Sequence, residues 1–211
     1  MANTNLKYGG LQPFFMAEAR KTAMLFPLTN NYGTDVFQGD PSLAVTAGRV
    51  ERGSTTGALL GVVLGIYKQA TPKSLRTERL TPVQYFAATP GTTYEYFILT
   101  TMDPTIFYLI QEDGLVSSLT EANWWGACDI SYGAGGNTTT GMSGALIDSS
   151  TIDATATRPL QLIKPAVNNY DIDAGAYNAV SAAGAAANYG KWIVRIFNSQ
   201  LGSGSLAVAF A

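Results

Sequence analysis

The chain has 211 residues, of which 46% are hydrophobic and only 13% charged, with a net charge of −2. That length suits one generous domain with a real core, and its charge content is about half the roughly 25% of an ordinary soluble domain. No Lys/Arg-rich run occurs, so the electrostatic footprint of a nucleic-acid binder is missing, and histidine is absent, which removes Ser-His-Asp, Cys-His and His-based zinc chemistry together.

Other classes fall away on simple counts. One cysteine, Cys128, leaves no disulfide within the chain, against a disulfide-stapled secreted domain. Residues 1–7 are polar and do not read as a signal peptide. The longest apolar run, 58–67, is about half a membrane span and holds two glycines, so it reads as a buried strand and no membrane is expected. A surface so poor in charge must be covered by uncharged polar residues or by other subunits.

In chain order, residues 1–42 look irregular. Leu11, Phe14, Phe15, Met16, Leu25 and Phe26 are apolar but follow neither the helical nor the strand period. Residues 16–24 fit either two helical turns or a strand. The segment is either a β-edge wrapped on its own body or an arm laid on a neighbour. From Gly39-Asp40-Pro41 onward the β pattern takes over, with strands expected at 43–45, 49–50 and 57–67. Gly61 and Gly65 inside the last suggest bulges or tight curvature, as closure of a small barrel requires. Residues 68–81 read as a polar loop carrying Lys68, Lys73, Arg76 and Arg79, and 81–84 as a capped helical turn.

Residues 93–100 and 105–111 read as strands; the second is an unbroken apolar run ending at Gln111-Glu112-Asp113-Gly114. Ser118-Leu119-Thr120-Glu121 has the form of a capping box, predicting a short helix that ends near Trp124 with Gly126 as its stop. Strand returns at 127–132. A Gly/Thr-rich loop at 133–141 and the polar Asp148-Ser149-Ser150-Thr151 precede an apolar strand at 160–163. Residues 165–187 are again irregular and end in an Ala/Gly-rich run. Trp192, Val194 and Ile196 then mark one apolar face of a strand, and the uncharged tail alternates Leu206, Val208 and Phe210 with alanine.

No stretch assembles chemistry. The 133–141 loop lacks both the Gly-Lys-Ser/Thr end of a P-loop and the GxGxxG spacing, and reads as a β-connection. Asp171-Ile172-Asp173 opens like a calcium loop but lacks the third acid and the closing Glu. Glu112-Asp113 and Asp148/Asp153 could be imagined as paired carboxylates for glycoside hydrolysis, yet nothing in their spacing selects them. Gly141-Met142-Ser143-Gly144-Ala145 misses the nucleophile-elbow pattern at its last position. No catalytic residue, metal or cofactor is therefore expected. Trp124 and Trp125 are adjacent and must point in different directions, one to the core and one to an interface.

Several segments, in this order, resemble a family of tailed-phage structural proteins, the small β-rich proteins that decorate or cement the capsid. They are Gly10-Leu11-Gln12-Pro13, Val36-Phe37-Gln38-Gly39-Asp40-Pro41, Gly61-Val62-Val63-Leu64-Gly65 and Asp103-Pro104-Thr105-Ile106-Phe107 with Ile110-Gln111-Glu112-Asp113. Gly136-Asn137-Thr138-Thr139-Thr140-Gly141-Met142-Ser143-Gly144 follows, leading to Leu146-Ile147-Asp148-Ser149-Ser150, and the last is residues 191–201. Together they cover most of the chain beyond residue 9. The Ala-rich insertion before Lys191, Phe197 and Ser199 where a more polar pair ending in His is expected, and the apolar tail depart from the pattern.

The expected fold is mainly β: a single β-barrel-like domain over 39–201, an N-terminal arm over 1–38, a tail over 202–211, long loops and few short helices. The resemblance implies a non-enzymatic virion protein, made in the host cytoplasm, that cements the outer face of the head. Its partner would be the major capsid protein, and it would act as a homo-oligomer, a trimer being favoured. A minor head, neck or tail component, or a carbohydrate-binding β module using Trp124 or Trp125, are the alternatives. The candidate interface residues are Phe14, Phe15, Met16, Trp124, Trp125, Leu206, Val208 and Phe210.

Overall fold

The computed structural model describes residues 9–29, 31–70, 80–88, 90, 93–114, 119–133, 135–153, 157–166, 170–171, 176–177 and 189–201. In chain order the elements are β1 (Gln12–Pro13), α1 (Met16–Lys21), β2 (Met24–Pro27), β3 (Val36–Phe37), β4 (Pro41–Val45), β5 (Arg49–Arg52), β6 (Gly61–Ala70), β7 (Thr81–Val83) and β8 (Tyr85–Phe86). They continue with β9 (Tyr94–Thr100), β10 (Phe107–Gln111), β11 (Ala127–Ser131), β12 (Leu146–Asp153), β13 (Leu160–Pro165), β14 (Tyr170–Asp171), β15 (Ala176–Tyr177) and β16 (Lys191–Ile196). The chain is mainly β, as its β-branched and aromatic runs require.

The strands divide between two principal sheets. The first runs β1-β10-β16-β13-β11-β12 and the second β2-β9-β6-β4-β5, with β7 added to β6. All their strand pairings are antiparallel. Each sheet curls back on itself. In the first, Glu112 at the end of β10 bridges Ile147 of β12, and Asp113 N–H donates to the Ile147 carbonyl at 3.0 Å. In the second, Leu28 after β2 bridges Val50 of β5. Closure of this kind covers edges that would otherwise present unpaired backbone.

Each curled sheet encloses its own core. Leu11, Tyr108, Ile110, Cys128, Ile130, Ile147, Leu160, Leu162, Trp192, Val194 and Ile196 fill the first. Leu28, Val36, Val50, Ile66, Phe86 and Ile98 fill the second. The segment entering β6 is their common wall, with Leu59 and Val62 in the first core and Leu60 and Val63 in the second. Gly61 lies between them because a Cβ there would overlap the Thr101 carbonyl. The expected irregularity at Gly65 is present, since the β6–β9 register shifts between Val63 and Gly65. Polar bonds stitch the wall: Thr101 Oγ1 accepts from Val62 N–H at 2.9 Å and lies 2.8 Å from the Tyr108 hydroxyl.

Several local expectations change. Residues 16–24 hold both alternatives in succession, helix α1 and then the start of β2. The segment 9–29 lies on its own body as edge strands, with Leu11 and Ala19 fully buried. Thr81–Val83 is a strand and not a helical turn, because pairing with β6 outweighs its cap-like sequence. Lys68 belongs to β6 and sits over the Tyr94 ring at 4.5 Å. The polar residues 148–151 lie inside the eight-residue strand β12. Ser118 of the capping box lies outside the described residues; beyond it a 3-10 turn, Glu121–Asn123, forms, and Asn123 Oδ1 accepts from Thr120 N–H at 2.8 Å.

Candidate interaction surfaces

Several titratable residues inside the body hold neighbouring segments together. Glu112 is fully buried, and its carboxylate accepts from Leu119 N–H and Gly190 N–H, each at 2.9 Å. It therefore gathers the turn after β10 and the entry to β16 onto the first sheet. Burial pushes its carboxyl up to about 7, against those two donors. Asp113 Oδ1 accepts from the Ser149 hydroxyl at 2.7 Å. Asp40 accepts from Phe37 N–H at 2.8 Å and from the Ser143 hydroxyl, and burial raises it to about 6. Ser143, the would-be elbow serine, is fully buried, and its carbonyl accepts from Gly9 N–H at 2.7 Å. The Cys128 thiol is buried and pushed up by desolvation.

The imagined acid pairs are arranged otherwise. Asp148 faces Asp129 across β11 and β12, and its Oδ1 accepts from the Ser150 hydroxyl at 2.6 Å. Asp153 instead shares Arg158 with Asp129: Nη2 donates to Asp153 Oδ2 at 2.7 Å and Nη1 to Asp129 Oδ2. The 133–141 loop is an ordered connection in its described part, where Asn137 Oδ1 accepts from Thr139 N–H at 2.8 Å. Among the described residues no group of three or more His, Cys, Asp or Glu is placed to hold a metal. The calcium-like stretch beyond Asp171, and Leu206, Val208 and Phe210, lie outside the described residues.

Two exposed aromatic groups remain. Phe14, Phe15 and Met16 follow β1 and are exposed, Phe15 to 61%. The Phe14 and Phe15 rings meet edge-on at 4.9 Å, and Phe14 N–H donates to the Phe107 carbonyl at 2.8 Å. Phe107 is exposed as well, because the inward position on β10 belongs to its neighbour Tyr108. Met24 and Leu25 on β2, at the edge of the second sheet, are also exposed. Sequence reasoning missed Phe107, which an unbroken apolar run disguises as core, and the edge-strand exposure of Met24 and Leu25.

The second group is Trp124 and Trp125. Both are exposed, at 43% and 62%, so the expectation that one tryptophan is core fails for this pair. The core tryptophan is Trp192. Trp125 adopts a φ of +67°, a left-handed conformation that bulky residues rarely accept. Its N–H donates to the Leu162 carbonyl at 2.9 Å, and its carbonyl accepts from Gln161 Nε2 at 3.1 Å. Gly126, next in sequence, bonds the Leu162 N–H and so keeps the turn on β13. The two rings border a surface recess of about 290 Å³ shared with Asn123, Ile152 and Asp153.

No protein-family model, curated protein or solved structure matches the chain. Among the described residues no helix is long and apolar enough to cross a membrane.

Proposed function

We propose that this chain is a non-enzymatic virion structural protein that docks on the outer face of a phage capsid and stabilises the head. The observation that carries this reading is the exposure of the apolar side chains Phe14, Phe15, Met16, Met24, Leu25 and Phe107 on a chain with only 13% charged residues, with Phe14, Phe15 and Phe107 joined by a ring contact and a backbone hydrogen bond. Apolar side chains held out to solvent by ordered backbone mark interaction sites. Burying each on a partner is worth roughly 1.5–3 kcal/mol before ordering costs. Buried Glu112 and Asp40 support the reading too, because each fastens a connecting segment to the body, which suits a rigid building block. The resemblance of segments such as residues 136–144 and 191–201 supplies the partner, the major capsid protein, and the homo-oligomeric state, with a trimer favoured.

Mass spectrometry of purified virions tests the proposal through copy number relative to the major capsid protein. Hundreds of copies support decoration. A dozen or fewer move the protein to the neck or tail, and none refutes a virion role. Binding to undecorated heads supplies the residue-level test. The double substitution Phe14→Ser, Phe15→Ser is expected to abolish occupancy while changing stability by no more than about 0.5 kcal/mol, the usual range for surface positions.

A further inference from the structure

We propose that the recess bordered by Trp124, Trp125 and Asp153 is a binding site for a neutral saccharide. The inference stands apart from the capsid reading, since Trp125 is held on β13 and Phe14 follows β1, with β10 and β16 between those two strands in the sheet.

The first argument is strain. A tryptophan 62% exposed gains little from its own fold, yet Trp125 is held at φ +67° by its N–H bond to the Leu162 carbonyl and its carbonyl bond from the Gln161 side-chain amide. Strain of this kind persists where the surroundings over-determine it, and it clusters at ligand sites. The result is a pre-set aromatic surface that needs no ordering when a ligand arrives.

The second argument is the chemistry of the walls. Indole faces accept the C–H face of a pyranose ring, while a carboxylate or amide at the rim takes up its hydroxyls. The recess is lined by that combination of residues, two tryptophans with Asp153, Asn123 and Ile152. Gly126 keeps the floor low, since a Cβ there would come within 2.8 Å of Ile152 Cδ1. A volume of about 290 Å³ suits one or two sugar rings, at the lower end of small-molecule sites.

The third argument selects a neutral ligand. Trp with Asp also fits a cation, but here Arg158 already bridges Asp153 and Asp129. A cationic ligand would meet a carboxylate whose charge is balanced and a guanidinium beside it. An anionic ligand would meet two carboxylates around that one guanidinium. A hydroxylated neutral ring encounters neither penalty.

The test is titration of the full-length protein with neutral oligosaccharides of glucose, mannose and N-acetylglucosamine, followed by tryptophan fluorescence and calorimetry. Saturable binding of at least one series is expected. Trp125→Gly, which suits the left-handed backbone, should keep the melting temperature within a few degrees of wild type yet weaken binding roughly tenfold or more. Asp153→Asn should weaken it less. No saturable binding to any of the three series overturns the proposal, as does equal binding by wild type and Trp125→Gly. Selective binding of acidic oligosaccharides, or capture of a protein through the tryptophans without sugar binding, also overturns it.

Discussion

Replacing Glu112 with glutamine tests how the first curled sheet is fastened. The wild-type carboxylate is fully buried, receives Leu119 N–H and Gly190 N–H, and lies next to Asp113. Burial raises it from an ordinary 4.5 to about 7. The folded state then holds this proton more tightly than the unfolded chain does. Its stabilising contribution is full below pH 4.5 and is lost as pH rises through 7. At 1.36 kcal/mol per pH unit, the rise is worth about 3 kcal/mol. In a domain of this size each kcal/mol moves the melting temperature by roughly 2–4 °C, so Glu112 alone lowers it by ~6–12 °C between pH 4.5 and 8. Asp40, raised to about 6 by its own burial, contributes chiefly below that value, which leaves pH 6 to 8 as the window for Glu112. Glutamine keeps one acceptor and turns an amide toward the second N–H. It should cost ~1–2 kcal/mol at pH 5 and remove most of the pH dependence above 6. Urea unfolding of both proteins at pH 5, 6, 7 and 8 measures the difference. Parallel stability profiles from pH 6 to 8 would refute the reasoning.

Three other outcomes follow from the packing. Gly144→Ala drives a Cβ into the Gly135 carbonyl, so thermal unfolding should show a loss of ~3 kcal/mol or more, or soluble expression should fail. Tyr108→Phe removes the hydroxyl paired with Thr101 Oγ1 at 2.8 Å in the wall between the cores, and chemical denaturation should register ~1–2 kcal/mol. Deleting 202–211 should leave the melting temperature within a few degrees, because Leu206, Val208 and Phe210 are proposed to pack on a neighbouring subunit, while virion occupancy or oligomerisation falls; unchanged occupancy and oligomeric state would remove the tail from the interface.

The extent of the candidate surfaces was only partly legible. Phe14, Phe15 and Met16 follow neither period, but neither does Leu11, which is fully buried, so the irregularity alone did not separate outer from inner side chains. Phe107 gave no sign of its exposure either, because the run 105–110 is apolar on both faces and only the seating of Tyr108 inside the first core decides which face is outer. For Trp124 and Trp125, adjacency foretold divergent directions, but on a regular element one would turn inward. The left-handed turn at Trp125 lets both rings face outward, and the carbonyl of Leu162 and the side chain of Gln161 hold that turn from another strand.

By itself the sequence determined the class of structure. β-branched runs, turn residues and the apolar face of 191–196 are local signals, and strands formed where they pointed. Absent histidine and scarce charge, also readable without a fold, excluded whole classes of chemistry. Only the tertiary structure decided that the strands divide between two curled sheets with separate cores. It also converted residues 81–83 from an expected helical turn into a strand, placed the polar 148–151 inside β12, and gave Glu112, Asp40 and Arg158 their partners. The physical reason is that sheet pairing and burial are non-local: Glu112 is fastened to Gly190, 78 residues away, and no window along the chain contains both.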